Sequence, residues 1–177
     1  MFNHRINSRF LGILLVLFFI SGISSSCSSS KKIDPNSPVI VPRYTKFITL
    51  SGNQKSFEDL RGKKTVVIFW AQWCRYSRPV IKAIDEIAKQ HKSRVNFLAI
   101  SLDKEADFEV LKEEIKIREI NNLTHAFSGA EYYDEAFLVL GGDTLPIVYV
   151  LDRNGRVIGI GDDEEVVKEL ITKLNYI

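Results

Sequence analysis

From Tyr44 onward, apolar and polar positions follow two alternating rhythms. Short uninterrupted apolar runs mark strands covered on both faces, and apolar positions three to four apart mark helices that bury one side. Residues 44–50 form the first predicted strand, followed by a turn at Ser51-Gly52-Asn53 and a short capped helical turn over 56–59. Residues 65–70, Thr-Val-Val-Ile-Phe-Trp, read as a fully covered strand. In Ser77–His91 the residues Val80, Ile81, Ile84, Ile87 and Ala88 share one face, while Lys82, Asp85, Glu86 and Lys89 lie opposite, so the spacing predicts a helix. Val95–Ser101 is a further strand, and 105–116 a helix with Phe108, Leu111 and Ile115 on its buried side. Residues 117–129 have no period that separates helix from strand, and 131–140 predicts another helix. Ile147–Leu151 and 156–160 pair across Asp152-Arg153-Asn154-Gly155, where Asn-Gly supplies the positive φ angles of a tight hairpin. A last helix over 163–175 carries the stripe Val166, Val167, Leu170, Ile171 and Leu174, with acids at its positive N-terminal end. Alternating strands and helices that close on a hairpin plus helix predict an α/β sandwich.

The first 43 residues stand outside that alternation. Arg5 and Arg9 precede an apolar run over 10–20, and Ser21-Gly22-Ile23-Ser24-Ser25-Ser26 follows. That is the layout of a secretory signal peptide, and the run is short for a membrane span. The small residues lead into Cys27 and resemble the lipobox of bacterial lipoproteins, in which the signal is cut before the cysteine and the thiol is lipidated. Ser24 stands where that family favours Leu, with Ile23 one place further back. The resemblance implies a signal peptide over 1–26, a lipid on Cys27, and a domain held at the bacterial cell envelope, facing the periplasm or the exterior. A plain cleaved signal, or an uncleaved anchor with Cys27 incidental, is the other reading. Residues 28–43 are rich in Ser, Pro and Lys and read as a tether. The folded domain is then expected over 44–177.

Composition narrows the function. With 177 residues, 45% of them apolar and 26% charged, the chain suits one globular domain with appendages. The full chain carries 24 basic and 22 acidic side chains, but the two arginines of the signal would be discarded, which leaves the mature chain neutral. No clustered basic charge remains for a nucleic-acid surface. Two cysteines are too few for a disulfide scaffold or a cysteine-ligated zinc site, and His4, His91 and His125 stand apart, so no metal site is expected. If Cys27 becomes a thioether, Cys74 is the one thiol left.

Trp70-Ala71-Gln72-Trp73-Cys74-Arg75-Tyr76-Ser77 is the stretch that carries chemistry. A cysteine after a buried strand and before a helix meets outward backbone N–H groups and a helix dipole, which stabilise a thiolate. Arg75 adds a neighbouring positive charge. An inert buried cysteine is the alternative. Pro79 is tolerated if Ser77 is the N-cap, which leaves Cys74 in the preceding loop, and kinks the helix if it starts at Cys74.

The segment from Val67 to Cys74 resembles the thioredoxin superfamily, and within it the membrane-tethered TlpA/ResA-like thiol–disulfide oxidoreductases. Leu60-Arg61-Gly62-Lys63 looks like the lead into that family's central strand, Thr144-Leu145-Pro146 like its cis-proline turn, and Leu151-Asp152-Arg153-Asn154-Gly155 like its late hairpin. The resemblance implies a thioredoxin-like sandwich with a central insertion over about 103–140. It places Cys74 and Ser77 at the catalytic positions and Trp73, Arg75, Tyr76, Leu145 and Pro146 at the substrate groove. The chain departs from the family where Ser77 replaces the second cysteine of Cys-x-x-Cys and Val80 replaces an acid. Ser77 cannot resolve a mixed disulfide, although its hydroxyl could hydrogen-bond the Cys74 sulfur. A peroxiredoxin would want Pro and Thr where Val67 and Ala71 stand.

Two functions follow from this resemblance. One is a monomeric, cofactor-free, lipid-anchored exchanger that acts on protein thiols or disulfides through Cys74 and needs an external thiol. The other is a thioredoxin-fold binding module without redox turnover. His91 and His125 are expected at the surface or in loops, Tyr132-Tyr133 in the core, and Asp162-Asp163-Glu164-Glu165 as an acidic helix start.

Overall fold

The computed structural model describes residues 39–173. The segment expected as a signal, Cys27, most of the expected tether and Leu174 lie outside the described residues, as do the side chains of Val166 and Leu170. Five strands form a mixed sheet: β3 (Lys64–Trp70), β4 (Val95–Ser101), β5 (Thr124–Phe127), β6 (Ile147–Leu151) and β7 (Val157–Gly161). Their order is β5-β4-β3-β6-β7, with β3, β4 and β5 parallel and β6 and β7 antiparallel to their neighbours. A separate hairpin joins β1 (Lys46–Ile48) and β2 (Gln54–Ser56).

Both faces of the sheet are covered, which accounts for the unbroken apolar run in β3. Val66, Ile68 and Trp70 pack into the layer of α1 (Ser77–His91), α2 (Phe108–Ile117) and α4 (Glu164–Lys173). Val67 and Phe69 pack the other way, with Phe47, Phe57 and α3 (Glu135–Leu140). Successive strand residues point to opposite faces, so each is buried by a different layer. Of the stripe expected on α1, Val80, Ile81, Ile84 and Ala88 are in the core and Ile87 is partly buried. Asp85, expected on the opposite face, is buried too and accepts from the Asn122 N–H and side-chain amide. On α4, Val167 and Ile171 are in the core.

Several expectations need correction. The first strand is three residues long and pairs with β2, whose Gln-Lys-Ser sequence carries no apolar signal. Residues 105–107 form a 3-10 turn before α2. The stretch 117–129, whose sequence has no clear period, contains β5. The helix expected over 131–140 is a 3-10 turn (Glu131–Tyr133) and then α3, divided at Asp134, whose side chain caps α3. In the β6–β7 connection only Gly155 takes a positive φ, +77°. Asp152 shapes the turn instead, accepting from the Asn154 and Arg156 N–H groups at 2.8 and 2.9 Å.

Packing also begins earlier than residue 44. The Val41 N–H donates to the Gly155 carbonyl at 3.0 Å, and the Val157 N–H donates to the Val39 carbonyl at 2.9 Å. Val41 is fully buried, so 39–43 belongs to the folded unit rather than to the tether.

Candidate functional site

The ends of β3 and β4 and the start of β6 share one edge of the sheet, because Trp70 pairs with Ser101 and Phe69 with Ile147. Loops leaving this edge bring Cys74 to Leu145-Pro146. The Cys74 Sγ lies 3.7 Å from the Leu145 carbonyl oxygen, and the Leu145–Pro146 peptide bond is cis. Cys74 is a free thiol, 7% exposed. Its loop is a tight turn in which the Cys74 N–H donates to Ala71 O at 3.1 Å, and the Ser77 N–H donates to Cys74 O at 3.1 Å.

Helix α1 starts at Ser77, and the N-cap is Tyr76 rather than the expected Ser77, with no side-chain capping bond. Pro79 falls in the first turn, where its missing N–H would have had no partner within the helix. Cys74 therefore stands in the loop ahead of the helix terminus.

The remaining predicted residues divide into an exposed set and a buried one. Trp73 and Tyr76 are 51% and 62% exposed beside the thiol. Arg75 lies over the Tyr76 ring at 4.7 Å and donates to the Tyr76 hydroxyl at 3.0 Å, so its charge is turned to Tyr76. Ser77 is fully buried, and its Oγ has no hydrogen-bond partner, so the anticipated bond to Cys74 is not made here. Val80 is buried in the core, leaving that family acid position apolar.

One residue of the site escaped the sequence reading. Asp103, fully buried just past β4, accepts hydrogen bonds from the Gln72 N–H and the Ser101 hydroxyl. Burial pushes its carboxyl above the ordinary aspartate range, with Asp107 adding to the rise and the bonds from Ser101 and Gln72 opposing it. The only available signal was a Ser-x-Asp pair ending an otherwise apolar strand.

Other candidates sit elsewhere. His125 is a partly buried residue of β5, not a loop residue, and His91 ends α1 at the pole away from Cys74. Tyr132 and Tyr133 are both exposed, at 45% and 83%, against the expectation of core residues, although Tyr132 packs edge-on to Phe137. Glu164 pairs with Lys168 within α4. Among the described residues no helix is long and apolar enough to cross a membrane.

Comparison with known proteins agrees with this architecture. Thioredoxin-like protein YneN of Bacillus subtilis is 28% identical over 137 residues, 72% of each chain. A thiol-disulfide oxidoreductase from Bacteroides fragilis superposes with a TM-score of 0.67 at 22% identity, covering 76% of this chain and 98% of its own. A secreted disulfide oxidoreductase of Mycobacterium tuberculosis does so with a TM-score of 0.60 at 18% identity, covering 75% and 95%. The family model that matches residues 40–160 is that of the AhpC/TSA family, so the chain belongs to that family and has its thioredoxin-like α/β fold.

Proposed function

We propose that this protein is an extracytoplasmic, lipid-anchored monothiol exchanger that reduces or isomerises protein disulfides through Cys74. The observation that carries the reading is the Cys74 Sγ held 3.7 Å from the Leu145 carbonyl at the cis Leu145–Pro146 turn. A substrate segment along that turn brings its disulfide to the thiol, with Trp73, Arg75 and Tyr76 offering exposed contact surface. The Cys74 thiolate bonds one substrate sulfur, the substrate S–S bond breaks, and the second substrate sulfur leaves as a thiolate with the electron pair. Ser77 offers no second sulfur, so the mixed disulfide is resolved from outside. An external small thiolate completes a reduction, and a second thiol of the substrate completes an isomerisation. No cofactor enters this exchange, and one chain suffices for it.

The likeness of Val67 to Cys74 and of Thr144-Leu145-Pro146 to the TlpA/ResA group supports the reading, as do relatives named for thiol–disulfide chemistry. The signal-like segment 1–26 and Cys27 support export and anchoring.

Wild-type protein mixed with an oxidised protein substrate is expected to accumulate a mixed disulfide through Cys74 and to turn over only with added small thiol. Ser77→Cys should remove that requirement by closing an intramolecular disulfide. If wild type traps no partner and Cys74→Ala behaves identically, the exchanger reading fails. The binding-module reading then stands, which the enclosed Ser77 and the mostly buried Cys74 favour. Its mark is a partner captured equally by wild type and Cys74→Ala.

A further inference from the structure

Asp103 reaches from the end of β4 into the loop that carries the thiol. Its Oδ1 and Oδ2 accept from the Gln72 N–H at 3.2 and 3.1 Å, and Oδ2 also accepts from the Ser101 hydroxyl at 2.6 Å. The Asp103 N–H donates back to Ser101 Oγ at 3.1 Å, which fixes the carboxylate from behind. Gln72 is the second residue of the turn that the Cys74 N–H closes on Ala71. The Gln72 carbonyl accepts from the Arg78 guanidinium at 3.4 Å, so the segment is held from β4 on one side and from α1 on the other. Below it, the Leu102 N–H donates to Trp70 O at 2.8 Å and seats the base of the loop.

We propose that Asp103 is a positioning residue for the exchange reaction, fixing the loop over 72–74 so that the Cys74 Sγ faces the Leu145–Pro146 turn. The inference rests on the exchanger reading and adds to it the device that aims the thiol. Burial disfavours the ionised form of this carboxyl, and the like charge of Asp107 opposes it further. What sets this carboxyl apart from a helix cap such as Asp134 is its place: it is bonded to the backbone two residues before the reactive atom. Such a clamp matters for disulfide exchange because attack demands a near-linear approach of three sulfurs, and a small misplacement costs rate steeply. Alkylation by a small reagent makes no such demand.

Three variants test this. Asp103→Ala removes the clamp. Asp103→Asn keeps an amide oxygen that can accept from the Gln72 N–H. Gln72→Pro deletes the donor at a turn position that proline suits. The readouts are mixed-disulfide formation with a peptide disulfide, iodoacetamide alkylation of native Cys74, melting temperature, and amide hydrogen exchange over 72–76. Asp103→Ala and Gln72→Pro are each expected to slow mixed-disulfide formation about tenfold, while alkylation of the mostly buried Cys74, which gains from a looser loop, is not slowed. Asp103→Asn should recover most of the rate, and the double variant should be no slower than either single one. Should Asp103→Ala fail to fold, Gln72→Pro and Asp103→Asn decide. Wild-type exchange rates in the folded variants, or losses that merely parallel alkylation or melting temperature, overturn the proposal. A wild type that forms no mixed disulfide overturns the exchanger reading instead. The clamp is then judged by amide exchange over 72–76, which Asp103→Ala must accelerate about tenfold if the bonds hold the loop.

Discussion

His125 Nε2 lies 2.7 Å from the Ile120 carbonyl oxygen, while Nδ1 is buried without a partner and the ring stands edge-on to Trp70. A carbonyl only accepts, so Nε2 carries the proton and the neutral ring leaves Nδ1 bare. Charging the ring would place a second N–H where nothing accepts it. Burial accordingly pulls the His125 pKa below its ordinary 6.5, against smaller opposing effects of the Ile120 bond and Asp85. A base whose folded pKa is depressed contributes stability that is present above its unfolded pKa and lost as pH falls through the folded value. Urea unfolding should therefore show wild type losing stability between pH 7.5 and about pH 5, and His125→Gln losing less of it. Equal pH slopes for the two would refute this. Nothing in the sequence pointed here, because an isolated histidine in a stretch without a clear period gives no sign of depth. Ser77 illustrates the same limit. Its identity was legible as a replaced cysteine, but its enclosure without a partner depends on how α1 seats against the sheet. The thiol is legible from its place after a buried strand, and the cis-proline turn only through the family resemblance that Thr144-Leu145-Pro146 carries.

Elements with a long period came out as read, since Ser77–His91, Val95–Ser101 and Ile147–Leu151 agree with the structure end to end. The failures have physical causes. β2 is held by its pairing to β1 rather than by burial, so its three polar residues show no pattern. β5 is four residues long with one fully buried, and its strand character comes from pairing with β4. At 131–140 the apolar spacing ran across a cap that the periodicity could not see. Asp134 is buried and accepts from the Ala136 and Phe137 N–H groups at 3.0 and 3.1 Å. The helix it starts places Phe137 edge-on to Phe69, in the layer beneath the site's edge of the sheet. Asp134→Ala removes the acceptor from two buried donors and should cost about 1–2 kcal/mol. Asp134→Asn should retain most of that, because its oxygen still accepts and no buried charge remains, burial having already raised the Asp134 carboxyl above its ordinary range. Thermal unfolding of the two variants checks the order, and an alanine variant as stable as wild type would show that the cap contributes nothing.

Across the whole molecule, the strands give the domain two poles. Cys74 and Pro146 lie at the C-terminal end of β3, whereas β6 runs antiparallel and delivers the 152–156 turn to the other end. The first described residues attach at that far end. Val39 and Val41 bond to Val157 and Gly155, and the Arg61 guanidinium donates to Val41 O at 2.6 Å. β3 has seven residues and so separates the poles by about 23 Å. Under the anchoring proposal, the stretch between Cys27 and Val39 could span at most about 40 Å, and it would join the domain at the pole away from the thiol. Anchoring and chemistry are then separable. Wild type should partition with membranes, and Cys27→Ala should release the protein or mislocalise it. The substitution should leave the rate of mixed-disulfide formation with a soluble substrate unchanged, because the lipid attaches far from Cys74. Fractionation of cells that express each form, followed by the trapping assay on purified protein, reads both halves. Wild-type protein recovered without lipid from the soluble fraction would rule out the lipid anchor. An exchange rate that falls when the anchor is lost would contradict the two-pole arrangement.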